Sequence, residues 1–173
     1  MLVREAMNRN APRIHDNASI KEAAERMALT QAGELVVVAA GDEVVGMVGA
    51  EDLLRCLIPE FDDLLTGGGV PSHLHPHRRS TDLLPHLKVK EVMRRAGVKL
   101  DPEQSLEDAF GLLLEGGGKT MPVVSEGKLA GSLSTVDVAR ALMWRDQVSP
   151  TRLQPQEERR KGKRGRRTGN TDR

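Results

Sequence analysis

Aromatic residues, cysteine and long apolar stretches are all scarce in this chain of 173 residues. Only 2% of the residues are aromatic and tyrosine is absent, which argues against a surface that stacks exposed bases on aromatic rings. The single cysteine, Cys56, excludes an intrachain disulfide and a multi-cysteine zinc site, and it fits a reducing compartment. The longest wholly apolar run, residues 35–40, is far shorter than the roughly 20 residues that span a bilayer. We therefore expect a cytoplasmic protein with no membrane span.

Charge is distributed unevenly along the chain. Residues 151–173 carry a net charge of +6 and the other 150 residues carry −5, which together give the net charge of +1. Seven Lys or Arg residues between Arg159 and Arg167 are separated only by glycines, and no apolar residue there could anchor the segment by burial. We therefore predict a disordered basic tail at 149–173. Such a tail either keeps the protein in solution or attracts the phosphate backbone of a nucleic acid.

The sequence repeats itself at a spacing of about 86 residues. Residues 3–7 (VREAM) return as residues 89–93 (VKEVM), and a series of later identities keeps its order in both copies. The second copy loses one residue near its end, so that Asp52 matches Asp137. We predict one repeat at 1–59, a linker rich in glycine and proline at 60–87, and a second repeat at 88–148.

Both copies predict the same secondary structure. Ser19 and Ser105 are each followed three residues later by an acid, which is typical of a capping box at the start of a helix. Apolar residues then recur at helical spacing. Two short β-branched strands and a second helix follow in each copy. The predicted unit is strand, helix, strand, strand, helix, which places the protein in the α/β class.

Residues 131–137 (GSLSTVD) have a distinctive pattern of glycine, two mostly apolar positions, Ser or Thr, two variable positions and Asp. Residues 121–124 (MPVV) form the predicted strand before this motif, and residues 89–93 form the start of the repeat. With these motifs the second copy resembles a CBS domain, and the two copies together resemble the tandem CBS pair called a Bateman module. The resemblance implies two βαββα units packed through their sheets by pseudo-twofold symmetry, with two clefts between them. It also implies a homodimer that binds an adenosyl compound (AMP, ADP, ATP or S-adenosylmethionine) and is not an enzyme.

The resemblance implies a nucleotide site at the motif of the second copy. Ser134 can donate to a phosphate beside the start of a helix, and ionised Asp137 can accept from the two ribose hydroxyls. The opposite repeat is expected to supply the rest of the cleft. The predicted nucleotide-binding residues are Ser134, Asp137, Leu133, Ala11, Pro12, Gly33 and Glu34. An alternative stays open, because Ser134 and Asp137 also match an ordinary capping box that needs no ligand.

The first copy departs from the family pattern at one position. Residues 46–52 (GMVGAED) keep Asp52 but have Gly49 where the pattern requires a hydroxyl. One phosphate contact is therefore missing. We predict a weak or empty second cleft that contains Asp52 and Lys119.

No motif in the sequence supports catalysis. Residues 116–120 (GGGKT) resemble the end of a P-loop, but the upstream glycine is missing and the segment lies between a predicted helix and a predicted strand. His73, His75 and His77 have metal-compatible spacing without a fixed second shell, and we predict no metal site, no catalytic residue and no required cofactor. The predicted function is a regulatory, ligand-sensing module that signals to a partner protein. The alternative is a nucleic-acid-associated protein that uses the basic tail, with the CBS pair as a dimerisation scaffold.

Overall fold

The computed structural model describes residues 1–58, 61, 66, 86–117 and 120–145. Contacts divide the chain into a compact unit, Met1–Ala141, and a second unit, Leu142–Arg173, of which only residues 142–145 are described. The first copy forms α1 (Val3–Ala6), β1 (Arg13–His15), α2 (Ile20–Thr30), β2 (Glu34–Val38), β3 (Val44–Gly49) and α3 (Ala50–Leu57). The second copy forms α4 (Val89–Val92), β4 (Arg94–Arg95), α5 (Leu106–Glu115), β5 (Thr120–Ser125), β6 (Lys128–Ser134) and α6 (Thr135–Arg145). The predicted tail and nearly all of the predicted linker lie outside the described residues.

The sheets follow the predicted order of elements. In the first copy β1 is parallel to β2, and β2 is antiparallel to β3. In the second copy β5 and β6 form an antiparallel pair, and a single parallel bridge from Leu100 to Val123 stands where the first copy has β1. The reason is Pro122: the equivalent Val36 donates its backbone N–H to Pro12 at 2.9 Å, whereas a proline has no N–H to donate. The predicted unit is confirmed, with its first strand shortened in the second copy.

Both predicted helix starts carry their serine caps. The Ser19 hydroxyl accepts from the backbone N–H of Glu22 at 3.2 Å, and the Glu22 carboxylate accepts from the backbone N–H of Ser19 at 2.7 Å. The Ser105 hydroxyl accepts from the backbone N–H of Asp108 at 3.1 Å. Each cap satisfies amides that would otherwise have no partner in the first turn.

The opening helix of each copy packs into the core of the other copy. Val3 is fully buried among the apolar residues of the second copy, and Val89 is fully buried among those of the first. The backbone bonds are equivalent as well: Val3 donates to Gln104 at 3.0 Å, and Val89 donates to Ala18 at 2.9 Å. Each copy therefore completes its hydrophobic core with a short helix from the other copy.

The two copies also meet through their sheets. Along β2, Leu35 and Val37 face the core with α2, whereas Val36 and Val38 belong to a second buried cluster with Val124 of β5 packed against it. This alternation follows from the two-residue period of a strand, and it explains why four consecutive residues of β2 are buried. The expected packing of two repeats through their sheets is present.

Two equivalent glycines allow a chain segment from the opposite copy to cross each sheet. β4 pairs with β3, where Gly46 faces Arg95, and Asn8 forms a bridge with Ser132 beside Gly131. A Cβ atom on Gly46 would lie 2.6 Å from the carbonyl oxygen of Arg94, and one on Gly131 would lie 2.7 Å from that of Asn8. The glycine that begins the family motif therefore leaves room for the crossing backbone.

Candidate ligand-binding clefts

Ser134 and Asp137 form the reciprocal capping box that their spacing permits. The Asp137 Oδ2 atom accepts from the Ser134 hydroxyl at 2.6 Å and from the Ser134 backbone N–H at 2.9 Å. In return the Asp137 backbone N–H donates to the Ser134 hydroxyl at 3.3 Å. The capping alternative is therefore confirmed as a structural role. It holds both side chains at the start of α6, where free amides and the helix dipole favour an anion.

The second carboxylate oxygen of Asp137 makes a longer hydrogen bond than the first. Oδ1 accepts from Arg140 at 3.3 Å, and the same Arg140 nitrogen donates to the carbonyl oxygen of Ala6 at 3.1 Å. The Asp137 side chain is 16% exposed and the Arg140 side chain is 55% exposed. A carboxylate oxygen with one long contact to a half-exposed partner can accept further hydrogen bonds, such as those from a vicinal diol.

Asp52 has the equivalent position at the start of α3, but its surroundings differ. Its Oδ2 accepts from the Gly49 backbone N–H at 2.7 Å, and its Oδ1 accepts from Arg55 at 3.3 Å. Oδ2 also accepts from Nε of Arg94 at 3.1 Å, a contact between two residues that are 42 positions apart. The Asp52 side chain is only 7% exposed. The contact of Oδ1 with Arg55 matches that of Asp137 with Arg140, so the cation Arg94 on Oδ2 is what distinguishes the surroundings of Asp52.

Glu34 lies between the two clefts. Its Oε1 accepts from Arg94 at 2.5 Å, and its Oε2 accepts from the Thr120 backbone N–H at 3.2 Å. Thr120 pairs with Ser134 across β5 and β6. A cavity of about 260 Å³ contains Gly33, Glu34, Asp52 and Arg94. Gly33 and Glu34, which were predicted for the Asp137 cleft, therefore lie with Asp52. Glu34 also reaches the Asp137 cleft, through its hydrogen bond to Thr120.

Arg94 and Glu34 also line a neighbouring cavity of about 240 Å³, together with Met47, Val98 and Met121. Their ion pair thus forms a wall that is common to both cavities. Burial on its own would lower the pKa of Arg94, but hydrogen bonds to Glu34 and Asp52 outweigh it, so that the pKa is raised. Arg94 is therefore held as a cation between the two carboxylates.

The remaining predicted site residues have different positions. Leu133 is fully buried in the core of the second copy and directly precedes Ser134, and its part in the site stays a prediction. Pro12 accepts from Val36 through its carbonyl oxygen, and Ala11 packs against the cluster between the sheets. Lys119 lies outside the described residues.

Two residues near the clefts were missed by the sequence analysis. Arg94 and Asn8 are one repeat apart and directly follow the matched segments 3–7 and 89–93, so the repeat offset itself could have paired them. The Asn8 side chain accepts from the Asn10 backbone N–H at 2.9 Å and so stabilises its own turn. The copies therefore differ at this position: Arg94 binds the motif aspartate Asp52, whereas the equivalent Asn8 binds Asn10.

The other chemical candidates gain no support from the described part of the chain. Burial raises the pKa of the Cys56 thiol, and Asp52 raises it further, as expected of an unreactive cysteine. α5 ends at Glu115 and β5 begins at Thr120, which is the reverse of the strand-to-helix order of a P-loop. Within the described residues, no group of three metal-ligating side chains could hold a metal ion, and no helix is long and apolar enough to cross a membrane. His73, His75 and His77 lie outside them.

Comparisons with known proteins agree with this architecture. Protein MJ1225 of Methanocaldococcus jannaschii is 23% identical over 140 residues, and the chain spans 81% of its own length and 42% of that relative. The crystal structure of CBSX2 in complex with AMP has a TM-score of 0.64 at 24% identity, covering 84% of this chain and 98% of CBSX2, and CBSX2 is a CBS-pair protein from Arabidopsis thaliana.

A third relative has the same fold. The CBS domain pair of protein MJ0100, in complex with 5′-methylthioadenosine and S-adenosyl-L-methionine, has a TM-score of 0.61 at 16% identity and covers 84% of this chain and 98% of that one. A family model described as CBS domain matches residues 3–59 and 89–143. Because that model matches both copies of the repeat, this chain belongs to the CBS domain family.

Proposed function

We propose that this protein is a regulatory module that binds an adenosyl compound in the cleft of Ser134 and Asp137. Occupancy is signalled to a partner protein or to a second copy of the chain, and no reaction is catalysed. The observation that carries the proposal is the geometry of Asp137, which is fixed at a helix start with one carboxylate oxygen still able to accept hydrogen bonds. The AMP complex of CBSX2 and the S-adenosyl-L-methionine complex of MJ0100 support it.

The chemistry of the two side chains divides the ligand into two parts. An ionised carboxylate accepts from both hydroxyls of a ribose, so Asp137 is assigned to the ribose. The first amides of α6 are assigned to a phosphate or to the carboxylate of S-adenosylmethionine, since these donors favour an anion. The Ser134 hydroxyl donates its one proton to Asp137, and it joins these donors by exchanging that hydrogen bond for one to the anion. Ala11 and Pro12 remain proposed walls of this cleft, and Glu34 reaches it through Thr120, whereas Gly33 lines the cavity of Asp52.

A thermal-shift screen of the full chain tests this proposal. The ligands are AMP, ADP, ATP, S-adenosylmethionine and, as the control without a ribose, adenine. A ligand that binds only the folded state raises the midpoint in proportion to the logarithm of its concentration. We expect such a rise with at least one adenosyl compound and none with adenine. A midpoint that no adenosyl compound moves at millimolar concentration contradicts the proposal.

The basic tail supports a second candidate function. Seven cations between Arg159 and Arg167 would contact several phosphates of a nucleic acid, with the CBS pair serving as a dimerisation scaffold. Binding of that kind releases counterions and weakens steeply as salt rises. A filter-binding assay with and without residues 151–173 tests it: loss of nucleic-acid binding on truncation supports this function, and retained binding contradicts it.

We also propose that the protein is a homodimer. A closed twofold dimer is the commonest oligomer of soluble proteins. α6 carries four large apolar side chains that are exposed, which are Val136, Leu142, Met143 and Trp144. Exposed apolar side chains gathered on one element are typical of an interaction surface. We propose that a second molecule of this protein binds that surface.

A further inference from the structure

We propose that the Arg94 side chain occupies the ligand position of the Asp52 cleft and thereby limits the chain to one adenosyl-ligand site. This inference rests on the proposed function only for the class of ligand. It attributes the predicted weak binding in the Asp52 cleft to an ion pair between the two copies, whereas the sequence analysis attributed it to the missing hydroxyl at Gly49.

The contacts of Arg94 compete directly with those that a ribose would need. Nε of Arg94 lies 3.1 Å from Asp52 Oδ2, and its Nη2 lies 2.5 Å from Glu34 Oε1. Asp52 Oδ2 also binds the Gly49 amide, and Asp52 Oδ1 binds Arg55. The Arg55 contact has its equivalent in the contact of Arg140 with Asp137, so what distinguishes the Asp52 cleft is Arg94, which lines it and which a ribose diol would have to displace.

Displacement of Arg94 is unfavourable because two carboxylates depend on it. The side chains of Asp52 and Glu34 are 7% and 11% exposed, respectively. Buried carboxylates without a cation between them repel each other and lose solvation. A neutral diol cannot replace the charge of the guanidinium, so the cleft favours its own side chain over the ligand.

The shape of the cleft points the same way. Arg94 and Glu34 line two cavities of about 260 and 240 Å³, each smaller than the roughly 300 Å³ at which ligand pockets begin. A shorter side chain at position 94 would join these cavities into one cleft. The second copy already has such a residue, since Asn8 stands one repeat before Arg94 and its side chain binds Asn10.

Gly49 has a smaller part in this account. A Cβ atom there would make ordinary contacts of 3.4 Å with Glu34 and 3.5 Å with Arg94 and Asp52, so the Cβ atom of a serine fits beside Arg94. We therefore expect Gly49→Ser alone to leave the cleft closed. Arg94→Asn, which copies the arrangement of the other cleft, is expected to open it.

Calorimetric titration of the full chain with AMP, and separately with S-adenosylmethionine, tests the inference. Arg94→Asn is expected to bind one ligand per chain more than the wild type. Arg26→Asn, which removes one positive charge at an exposed residue of α2, and Gly49→Ser are expected to bind as many ligands as the wild type. The variant Arg94→Asn/Glu34→Gln, which also removes one of the two carboxylates, is used if Arg94→Asn alone does not fold. Unchanged stoichiometry in a folded Arg94 variant overturns the inference, as does a wild type that binds two ligands per chain.

The same titration separates this inference from the proposed function. In Arg94→Asn/Asp137→Ala, the remaining ligand is expected to bind at Asp52. A wild type that binds nothing, beside an Arg94→Asn protein that binds one ligand, supports the inference and contradicts the proposed site at Asp137. Absence of binding in every folded variant overturns both.

Discussion

The backbone N–H of Val89 donates to the carbonyl oxygen of Ala18 at 2.9 Å, although the two residues belong to different copies of the repeat. This bond holds α4 against the core of the first copy, where the Val89 side chain is fully buried. The equivalent bond from Val3 to Gln104 holds α1 against the second copy. Each copy thus depends on a short helix from the other, and the pair is expected to fold as one cooperative unit.

Removal of the exchanged side chains tests this dependence. Val89→Ala and Val3→Ala each leave a cavity in a fully packed core, and we expect each to lower the free energy of unfolding by about 1–3 kcal/mol. Val98→Ala is the control, because Val98 is about half exposed, and it should change stability by less than about 0.5 kcal/mol. Urea unfolding gives these values.

Hydrogen exchange then locates each loss. Val89→Ala should speed amide exchange in α2 and β2 of the first copy more than in α5 of the second. Val3→Ala should do the reverse. Faster amide exchange confined to the copy that contains the substituted residue in sequence would contradict the packing of each opening helix into the core of the other copy.

The crossing glycines give a second prediction. Gly46→Ala and Gly131→Ala would place a Cβ atom 2.6 and 2.7 Å from a carbonyl oxygen of the opposite copy, so the backbone must shift. We expect each to destabilise the protein by about 1–3 kcal/mol, as overpacking does. Gly111→Ala is the control: this glycine lies within α5 and its Cβ would meet nothing within 4 Å. It should raise stability by up to about 1 kcal/mol, and equal effects at all three positions would contradict the account.

The capping box of α2 predicts a dependence of stability on pH. Hydrogen bonds from the backbone and the side chain of Ser19 lower the pKa of Glu22 from its ordinary value of 4.5. A lowered pKa in the folded state means that the ionised carboxylate stabilises the fold above pH 4.5, and that this contribution disappears as the pH falls through the lowered value. The difference in unfolding free energy between the wild type and Glu22→Gln should therefore shrink in acid. A difference that stays constant from neutral pH to about pH 3 would contradict it.

Assembly gives a fourth prediction. Sedimentation equilibrium should return twice the chain mass of 18.9 kDa. The variant Val136→Glu/Met143→Glu introduces charge on the exposed part of α6 and should shift the protein toward the monomer, because a charge buried in an interface without a partner is costly. Leu29→Glu, at an exposed residue of α2, should leave the dimer intact. A wild type that is monomeric at micromolar concentration would contradict the proposal.

Local features of the fold were predictable from the sequence, because they depend on neighbouring residues. The caps at Ser19 and Ser105 each follow from a serine and an acid three residues apart, and β2 follows from a short β-branched run. The shortened first strand of the second copy could have been foreseen from Pro122, which lacks the N–H that the equivalent Val36 uses.

Two features could not be predicted from the sequence: the packing of α1 and α4 into the core of the opposite copy, and the ion pair of Arg94. Two copies with the same apolar pattern offer equivalent cores, so the pattern does not tell which core Val89 enters. The contact from Arg94 to Asp52 spans 42 positions and depends on that packing, because α4 carries Arg94 across to the first copy. The sequence located the motif aspartates, whereas their partners depend on tertiary structure.

The central claim is that the adenosyl ligand binds at Asp137, and its most direct test is calorimetric titration of variants at the two motif aspartates. Asp137→Ala removes a charged acceptor worth roughly 1.5–3 kcal/mol, which is about tenfold to a hundredfold in affinity, and Asp137→Asn, which keeps the shape of the side chain, should also weaken binding. Asp52→Asn, with circular dichroism to verify folding of every variant, should leave the affinity for the ligand nearly unchanged, since Arg94 already occupies that carboxylate. Equal affinity in the wild type and in a folded Asp137→Ala protein would contradict the account.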